Sequence, residues 1–219
     1  MPKKSFFRLA DERQMEIYNA SIHLFMDNNY EEINMKKVLQ YLSMNPGTFY
    51  RYFEDKDDLY CYLIRVIVHK RVEFFNQNNE DFLYNLFISG LFGDIDGAGA
   101  EPLDEIEIEF LETFSNIPES LLLKVYTNVL KGESIPFIKD ALRQMRLNGD
   151  LRPNIDDDMV SFMFESMQFN IIMFLREYKI TDSKMQQKIY QYFVDFMGHG
   201  LLEDKKYSEL LNKKSENAV

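Results

Sequence analysis

Apolar residues recur at three- and four-residue spacing along almost the whole chain, the period of amphipathic helices. Ile17, Ala20, Leu24 and Phe25 mark one face of a helix over about 11–28. Short helices over about 35–41 and 46–53 follow. A long one starts at Lys56 and runs to about 76, with Leu59, Leu63, Ile67 and Phe74 on its stripe. The same period predicts helices over 80–92, 101–115, 118–131, 134–148, 157–178 and 183–203, with Gly132 and Pro136 separating the third from the fourth. Gly90, Gly93, Gly97 and Gly99 make 90–99 a loop, and the polar residues 212–219 read as a frayed tail. There is no internal repeat and no strand-like alternation. The fold class is therefore all-α. The natural boundary falls where the helix from Lys56 begins, giving a small unit, 1–55, and a larger one, 56–219.

Three helices in the larger unit carry unusual patterns. The helix at 157–178 is apolar nearly all round, from Met159 and Val160 through Phe162, Met163 and Met167 to Phe174 and Leu175. Such a helix must be covered on two sides, and one of them can be a partner. The next helix carries Met185, Ile189, Tyr192, Phe193, Phe196, Met197 and Gly200 on one stripe, with Gly198 and Gly200 permitting close approach. In the helix at 101–115, Leu103, Ile106, Phe110, Leu111 and Phe114 share an arc, while Glu105, Glu109 and Glu112 lie opposite. Glu107 falls inside the apolar arc, where an isolated charge is very costly. It is either paired with a lysine, an arginine or a cap, or it is a pocket carboxylate for a lipophilic cation. A rotated helix that carries it to solvent is the third reading. The pocket reading groups Glu107, Phe110, Phe114, Met163, Met167 and Asn170.

Composition narrows the function classes. Nine glycines and six prolines in 219 residues favour long helices. The single cysteine, Cys61, excludes a disulfide framework within the chain, and a buried inert thiol is its default role. His23, His69 and His199 lack metal-ligand spacing, and no nucleophile elbow, phosphate loop or metal box is present. No catalysis, cofactor or metal is expected. No apolar run approaches the ~20 residues that span a bilayer, so no membrane partner and a cytoplasmic location are expected. The net charge of −11 argues against nucleic acid, and residues 1–60, with eight basic and ten acidic side chains, still sum to −2. Only local arrangement can overturn that, because charges beyond roughly 8–10 Å are screened.

The local arrangement does so between Met35 and Leu59. Asn45 is a good N-cap, Pro46 suits the first helical position, and Met44 and Phe49 form a hydrophobic staple. Phe49 and Phe53 then face inward, and Gly47, Thr48, Tyr50 and Arg51 outward. Two short helices joined by Leu42-Ser43-Met44 are a helix-turn-helix, whose second helix enters the major groove of DNA. Glycine lets the backbone approach, hydroxyls reach phosphates, and Arg51 either reads guanine or clamps a phosphate. Lys36 and Lys37 are either a solvated face or phosphate contacts. Asp55 caps the next helix, with Asp58 at the capping-box position, and Lys56 at its first residue could bind phosphate. The expected DNA contacts are Lys36, Asn45, Pro46, Gly47, Thr48, Tyr50, Arg51, Tyr52 and Lys56.

Gly47-Thr-Phe-Tyr-Arg-Tyr-Phe53 followed by Lys56-Asp-Asp-Leu59 resembles the signature of the tetracycline-repressor (TetR) family. Leu24-Phe25, Tyr30 and Met35-Lys-Lys-Val38 sit where that family has its first- and second-helix core, and Gly149–Asp158 resembles its loop before the penultimate helix. The resemblance is specific over 11–60 and architectural beyond. It implies a homodimer held by a four-helix bundle of the last two helices, with Ile189, Phe193, Phe196, Met197 and Gly200 at the interface. It also implies a repressor of palindromic operator DNA, released by a small-molecule inducer. The rival reading is a dimeric small-molecule-binding or protein-interaction module that has lost DNA binding. Three positions depart from the family pattern. Asn29 and Ser43 replace usual glycines, and Pro46 replaces a common lysine. At Ser43 a positive φ would cost on the order of 1 kcal/mol.

Overall fold

The computed structural model describes residues 2–77, 102–206 and 208. The predicted helix at 80–92, the glycine loop at 90–99 and the tail at 212–219 lie outside them. The described residues form α1 (Asp11–Met26), α2 (Met35–Tyr41), α3 (Pro46–Tyr52), α4 (Lys56–Gln77), α5 (Glu105–Glu112), α6 (Glu119–Val125), α7 (Lys131–Asn148), α8 (Asp157–Glu177) and α9 (Ser183–Leu201). Among these residues the only β-type pairing is an isolated bridge, Leu151 to Leu202.

Two compact units result: residues 1–70 with 102–132, and residues 71–101 with 133–219. Packing thus groups the chain differently from the division expected at 55/56, because α5 and α6 join the N-terminal helices. In the first unit, aromatic rings tile the core. Phe6 contacts Tyr52, Phe53 and Tyr62, while Tyr60 contacts Phe25, Tyr30 and Phe110. Cys61 is buried there, and burial pushes its thiol up to about 11, so it is inert near neutrality.

The second unit packs Phe137, Ile138, Ala141, Leu142 and Met145 of α7 against Val160 and Phe164 of α8 and Phe193, Met197 and Leu201 of α9. The loop from Gly149 is held to the end of α9 by Arg152 N–H to Leu201 O and Glu203 N–H to Asp150 O, both 3.0 Å.

Two expectations are corrected. Gly132 and Pro136 do not separate two helices: a π-helical turn, Tyr126–Leu130, leads from α6 into α7, and both residues lie inside α7. Open space around Gly132 lets the turn below the proline adjust without a clash. The helix expected at 101–115 is shorter, because Asp104 caps it and Thr113–Asn116 tighten into a 3-10 turn. Ile106 is exposed, so the buried face is Leu103, Glu107, Phe110 and Phe114.

Candidate nucleic-acid interface

Local chemistry sets each helix of the N-terminal unit. Asn34 caps α2, its side chain accepting from Lys37 N–H at 3.0 Å. Asn45 caps α3 in the same way, accepting from Thr48 N–H at 2.8 Å, with Pro46 at the first position. Between them Ser43 turns the chain with φ of 49°, the left-handed conformation its position in the turn led us to expect. Asn29 needs no glycine-like backbone, with φ of −60°, and its side chain caps the 3-10 turn at Tyr30–Glu32. Asp55 caps α4, accepting from Asp58 N–H at 2.7 Å, while Asp58 reaches back to Glu54 N–H at 3.1 Å.

Phe49 and Phe53 are fully buried, so α3 presents its other face outward. Asn45, Pro46, Gly47, Tyr50 and Arg51 are exposed and Thr48 is half-buried, all on one short helix and its cap. Around Gly47 the nearest atom a Cβ would meet is Asn45 Oδ1 at 3.5 Å, so that surface is open to an approaching backbone or phosphate. Lys36 is exposed on α2, whereas Lys37 is tied to Asn28 Oδ1 at 2.6 Å.

Two expected contacts are placed otherwise. Tyr52 is 7% exposed, its ring against Phe6, and its hydroxyl accepts from Arg51 at 3.2 Å. It lies three positions after Phe49 and next to Phe53, so it shares their buried side rather than the outward one. Lys56 donates to Tyr30 O and Ile33 O, both at 2.8 Å, with its ammonium 4.1 Å from the Tyr30 ring centre. Partial burial holds that ammonium below the usual lysine value, against the attraction of Asp57 and Glu31. Its bonds fix the loop that feeds α2.

A second polar chain ties this loop to α6. Tyr30 donates to Asp57, and Lys124 pairs with Asp57 on its other oxygen. Burial works against the Asp57 anion, but the bonds from Lys124 and Tyr30 outweigh it and hold the carboxyl below its ordinary value. Sequence reasoning missed the segment before α1. Lys3 and Ser5 bond to the end of α3, and Phe6 is wholly buried beneath it. The available signal was the apolar pair Phe6-Phe7 ahead of the first predicted helix.

The residues grouped as a ligand pocket divide between the two units. Glu107, Phe110 and Phe114 belong to the first, and Met163, Met167 and Asn170 to the second. Glu107, 1% exposed, accepts from Tyr18 Oη, Lys70 Nζ and Asp104 N–H, and completes a capping box with Asp104. Met163 and Asn170 are exposed, and Met167 packs on the core of the second unit. Of the expected interface residues, Phe196 and Gly200 are exposed and Ile189 half-buried. Phe193 and Met197 lie in the core of their own unit, where Phe193 meets Phe164 edge to face with ring centres 5.1 Å apart. The exposed apolar side chains of these two helices are instead Met159, Phe162, Met163 and Phe174 on α8 and Met185, Tyr192 and Phe196 on α9.

Residues 17–63, which hold most of α1, all of α2 and α3 and the start of α4, match the family described as bacterial regulatory proteins, tetR family. Residues 17–63 thus carry the N-terminal domain of the TetR family. An HTH-type transcriptional regulator of Staphylococcus aureus (strain USA300) is 32% identical over 76 residues, 35% of this chain and 41% of that protein. The chain thus spans well under half the length of the curated relatives it matches. In fold it is similar to a TetR-family transcriptional regulator from Syntrophomonas wolfei, with a TM-score of 0.58 at 18% identity over 88% of this chain and 98% of the other. It is also similar to SmeT, the repressor of the Stenotrophomonas maltophilia multidrug efflux pump SmeDEF, with a TM-score of 0.55 at 14% identity over 91% and 93%. TetR-family proteins are regulators rather than enzymes. No helix of the described residues is long and apolar enough to cross a membrane.

Proposed function

We propose that this TetR-family chain is a ligand-responsive transcriptional repressor that acts in the cytoplasm, binds a palindromic operator as a homodimer and leaves it when a small molecule binds. The observation that carries the reading is the outward face of α3. Asn45 to Gly47, Tyr50 and Arg51 stand clear, with Thr48 half-buried beside them, on a helix whose opposite face is locked by Phe49 and Phe53. Lys36 adds a cation on the neighbouring helix. SmeT, which shares the fold, is a repressor, and repression is the role proposed here. Dimerisation is supported by the exposed Phe162, Met163, Tyr192 and Phe196, a set of large apolar side chains on adjacent helices.

Two copies of α3 would read half-sites about 34–36 Å apart, one turn of duplex. A ligand releases the operator only through unequal affinity for the two arrangements of the dimer. Glu107 already holds three donors, which favours its structural reading over a contact with a lipophilic cation. The proposed ligand contacts are then Met163, Met167 and Asn170.

The test is selection of duplex DNA from a randomised pool by the purified protein, with sedimentation of the same sample. A palindrome should be enriched and the protein should sediment as a dimer. Arg51→Ala should lose roughly 1–3 kcal/mol of affinity for the enriched duplex. A sequence-selective loss means that Arg51 reads a base, whereas a uniform loss with a shallower salt slope means a phosphate clamp. Enrichment of nothing would favour the rival reading, a module without DNA binding. That reading draws support from the bonds that occupy Lys56 and from the net −2 of residues 1–60.

A further inference from the structure

A seven-residue helix cannot hold itself together in water, because nucleation is unfavourable and few bonds repay it. Its last four carbonyls also lack partners within the helix. In α3 all four are closed. Phe49 O accepts from Phe53 N–H at 2.9 Å, within the chain's own turn. The other three are closed from the far N-terminus. Tyr50 O accepts from Lys3 Nζ at 2.8 Å, Arg51 O from the Ser5 hydroxyl, and Tyr52 O from Lys3 N–H at 2.8 Å.

The segment that supplies these donors is itself anchored. Phe6 is wholly buried, its ring centre 4.9 Å from Tyr62, 5.1 Å from Phe53 and 6.0 Å from Tyr52. A short turn, with Phe6 N–H bonded to Lys3 O at 2.9 Å and Leu9 N–H to Phe6 O at 3.0 Å, sets the distance from that anchor to Lys3. The Lys3 ammonium also sits at the negative end of the helix dipole, where a cation is favoured.

We infer that residues 3–6 form a staple that positions the DNA-reading helix, with Lys3 and Ser5 as positioning residues and Phe6 as their anchor. The inference rests on the DNA-binding reading above. The carbonyls held by side chains are those of Tyr50 and Arg51, the two large exposed residues of α3. The staple therefore fixes the backbone from which those two side chains project, without its own donors facing the duplex. Lys3 spends its charge on a carbonyl, so its removal should weaken binding without removing a phosphate contact.

The test compares full-length wild type with the double variant Lys3→Ala/Ser5→Ala on the duplex enriched by the wild type, over a series of salt concentrations. Affinity should fall roughly threefold to tenfold, the loss of two exposed hydrogen bonds. The salt slope should stay unchanged, amide hydrogen exchange over Tyr50–Phe53 should quicken, and Lys3→Arg/Ser5→Thr should restore both. Unchanged affinity would overturn the inference. So would a slope that falls by about one with exchange unchanged, since Lys3 would then be a phosphate ligand. If the wild type enriches no duplex, the DNA-binding reading itself fails. Exchange over Tyr50–Phe53 still decides the staple in that case, quicker exchange upholding it and unchanged exchange overturning it.

Discussion

Each compact unit buries a glutamate, and the two are treated in opposite ways. Glu107 in the first unit meets a tyrosine hydroxyl, a lysine and a backbone N–H. Glu165 in the second is 2% exposed, and its Oε2 has no hydrogen-bond partner among the described residues. A buried carboxylate with partners is a joint between elements: Glu107 binds α1 through Tyr18 and α4 through Lys70 to its own helix. A buried carboxylate short of partners is a cost, and it is met most cheaply by keeping the proton. The first unit is thus built to hold one geometry. The second keeps a group whose comfort depends on its surroundings and leaves apolar faces of α8 and α9 uncovered.

The largest effect should come from breaking that difference at Glu165. Burial raises its carboxyl from 4.5 to about 7, and the nearby Ser134 hydroxyl offsets only part of this. Between those values the folded chain holds a proton that the unfolded chain has lost. Stability therefore falls as pH rises through the window from 4.5 to about 7 and is level above it. Glu165→Gln should remove this dependence. It should stabilise the protein by about 2–3 kcal/mol at pH 8 and change little near pH 4. Urea unfolding of both proteins at the two pH values checks it. Equal slopes with pH would mean that the carboxylate finds a partner when ionised.

At Glu107 the same substitution should act with opposite sign and smaller size. Glu107→Gln keeps the shape, the bond from Tyr18 and much of the capping box, but deprives Lys70 of its charge partner. Lys70 is partly exposed and can turn to water, so the loss is about 1–2 kcal/mol rather than the 3–5 of a fully buried pair. Thermal unfolding at pH 7 measures it. An unchanged melting point would show that Glu107 is not a joint and would return it to the ligand reading.

The two glutamates also mark what was legible in the sequence. Stepping residues by the helical angle put Glu107 on an apolar face, but could not name Tyr18 and Lys70, which come from distant parts of the chain. Glu165 sits in so apolar a run that periodicity gave it no address. The helix-turn-helix was readable because its determinants are local. Asn45, Pro46 and Phe49 act within four residues of one another, and the cap, the first helical position and the buried ring fall where expected. The surroundings of Tyr52 and Lys56 were not legible for the converse reason. Their partners, Phe6 for one and the carbonyls of Tyr30 and Ile33 for the other, are fixed only by tertiary packing. Phe193 and Met197 likewise shared a stripe with exposed residues, and only the position of Phe164 decides which side faces the core.

The smallest effect concerns how helices stop, and there the two units follow one rule. Helix α2 ends with Met44 N–H bonded to Leu39 O at 3.0 Å and Ser43 N–H to Gln40 O at 3.3 Å. Helices α7 and α8 end with the same pair of bonds, through Asp150 and Gly149 in one and Ile180 and Lys179 in the other. This is the Schellman arrangement, and it demands a left-handed residue at its penultimate donor. The φ values there are 49° for Ser43, 77° for Gly149 and 52° for Lys179, so only one of three sites has the residue that adopts it freely. Ser43→Gly relieves a left-handed strain of about 1–2 kcal/mol, and the added freedom of the unfolded chain takes back roughly half. A net gain of about 0.5–1 kcal/mol is expected in urea unfolding, with no change in the operator bound, because the turn already has the geometry that glycine would adopt. A loss of stability would mean that the Ser43 side chain makes a contribution larger than its strain, and that the turn between α2 and α3 is held by more than its backbone.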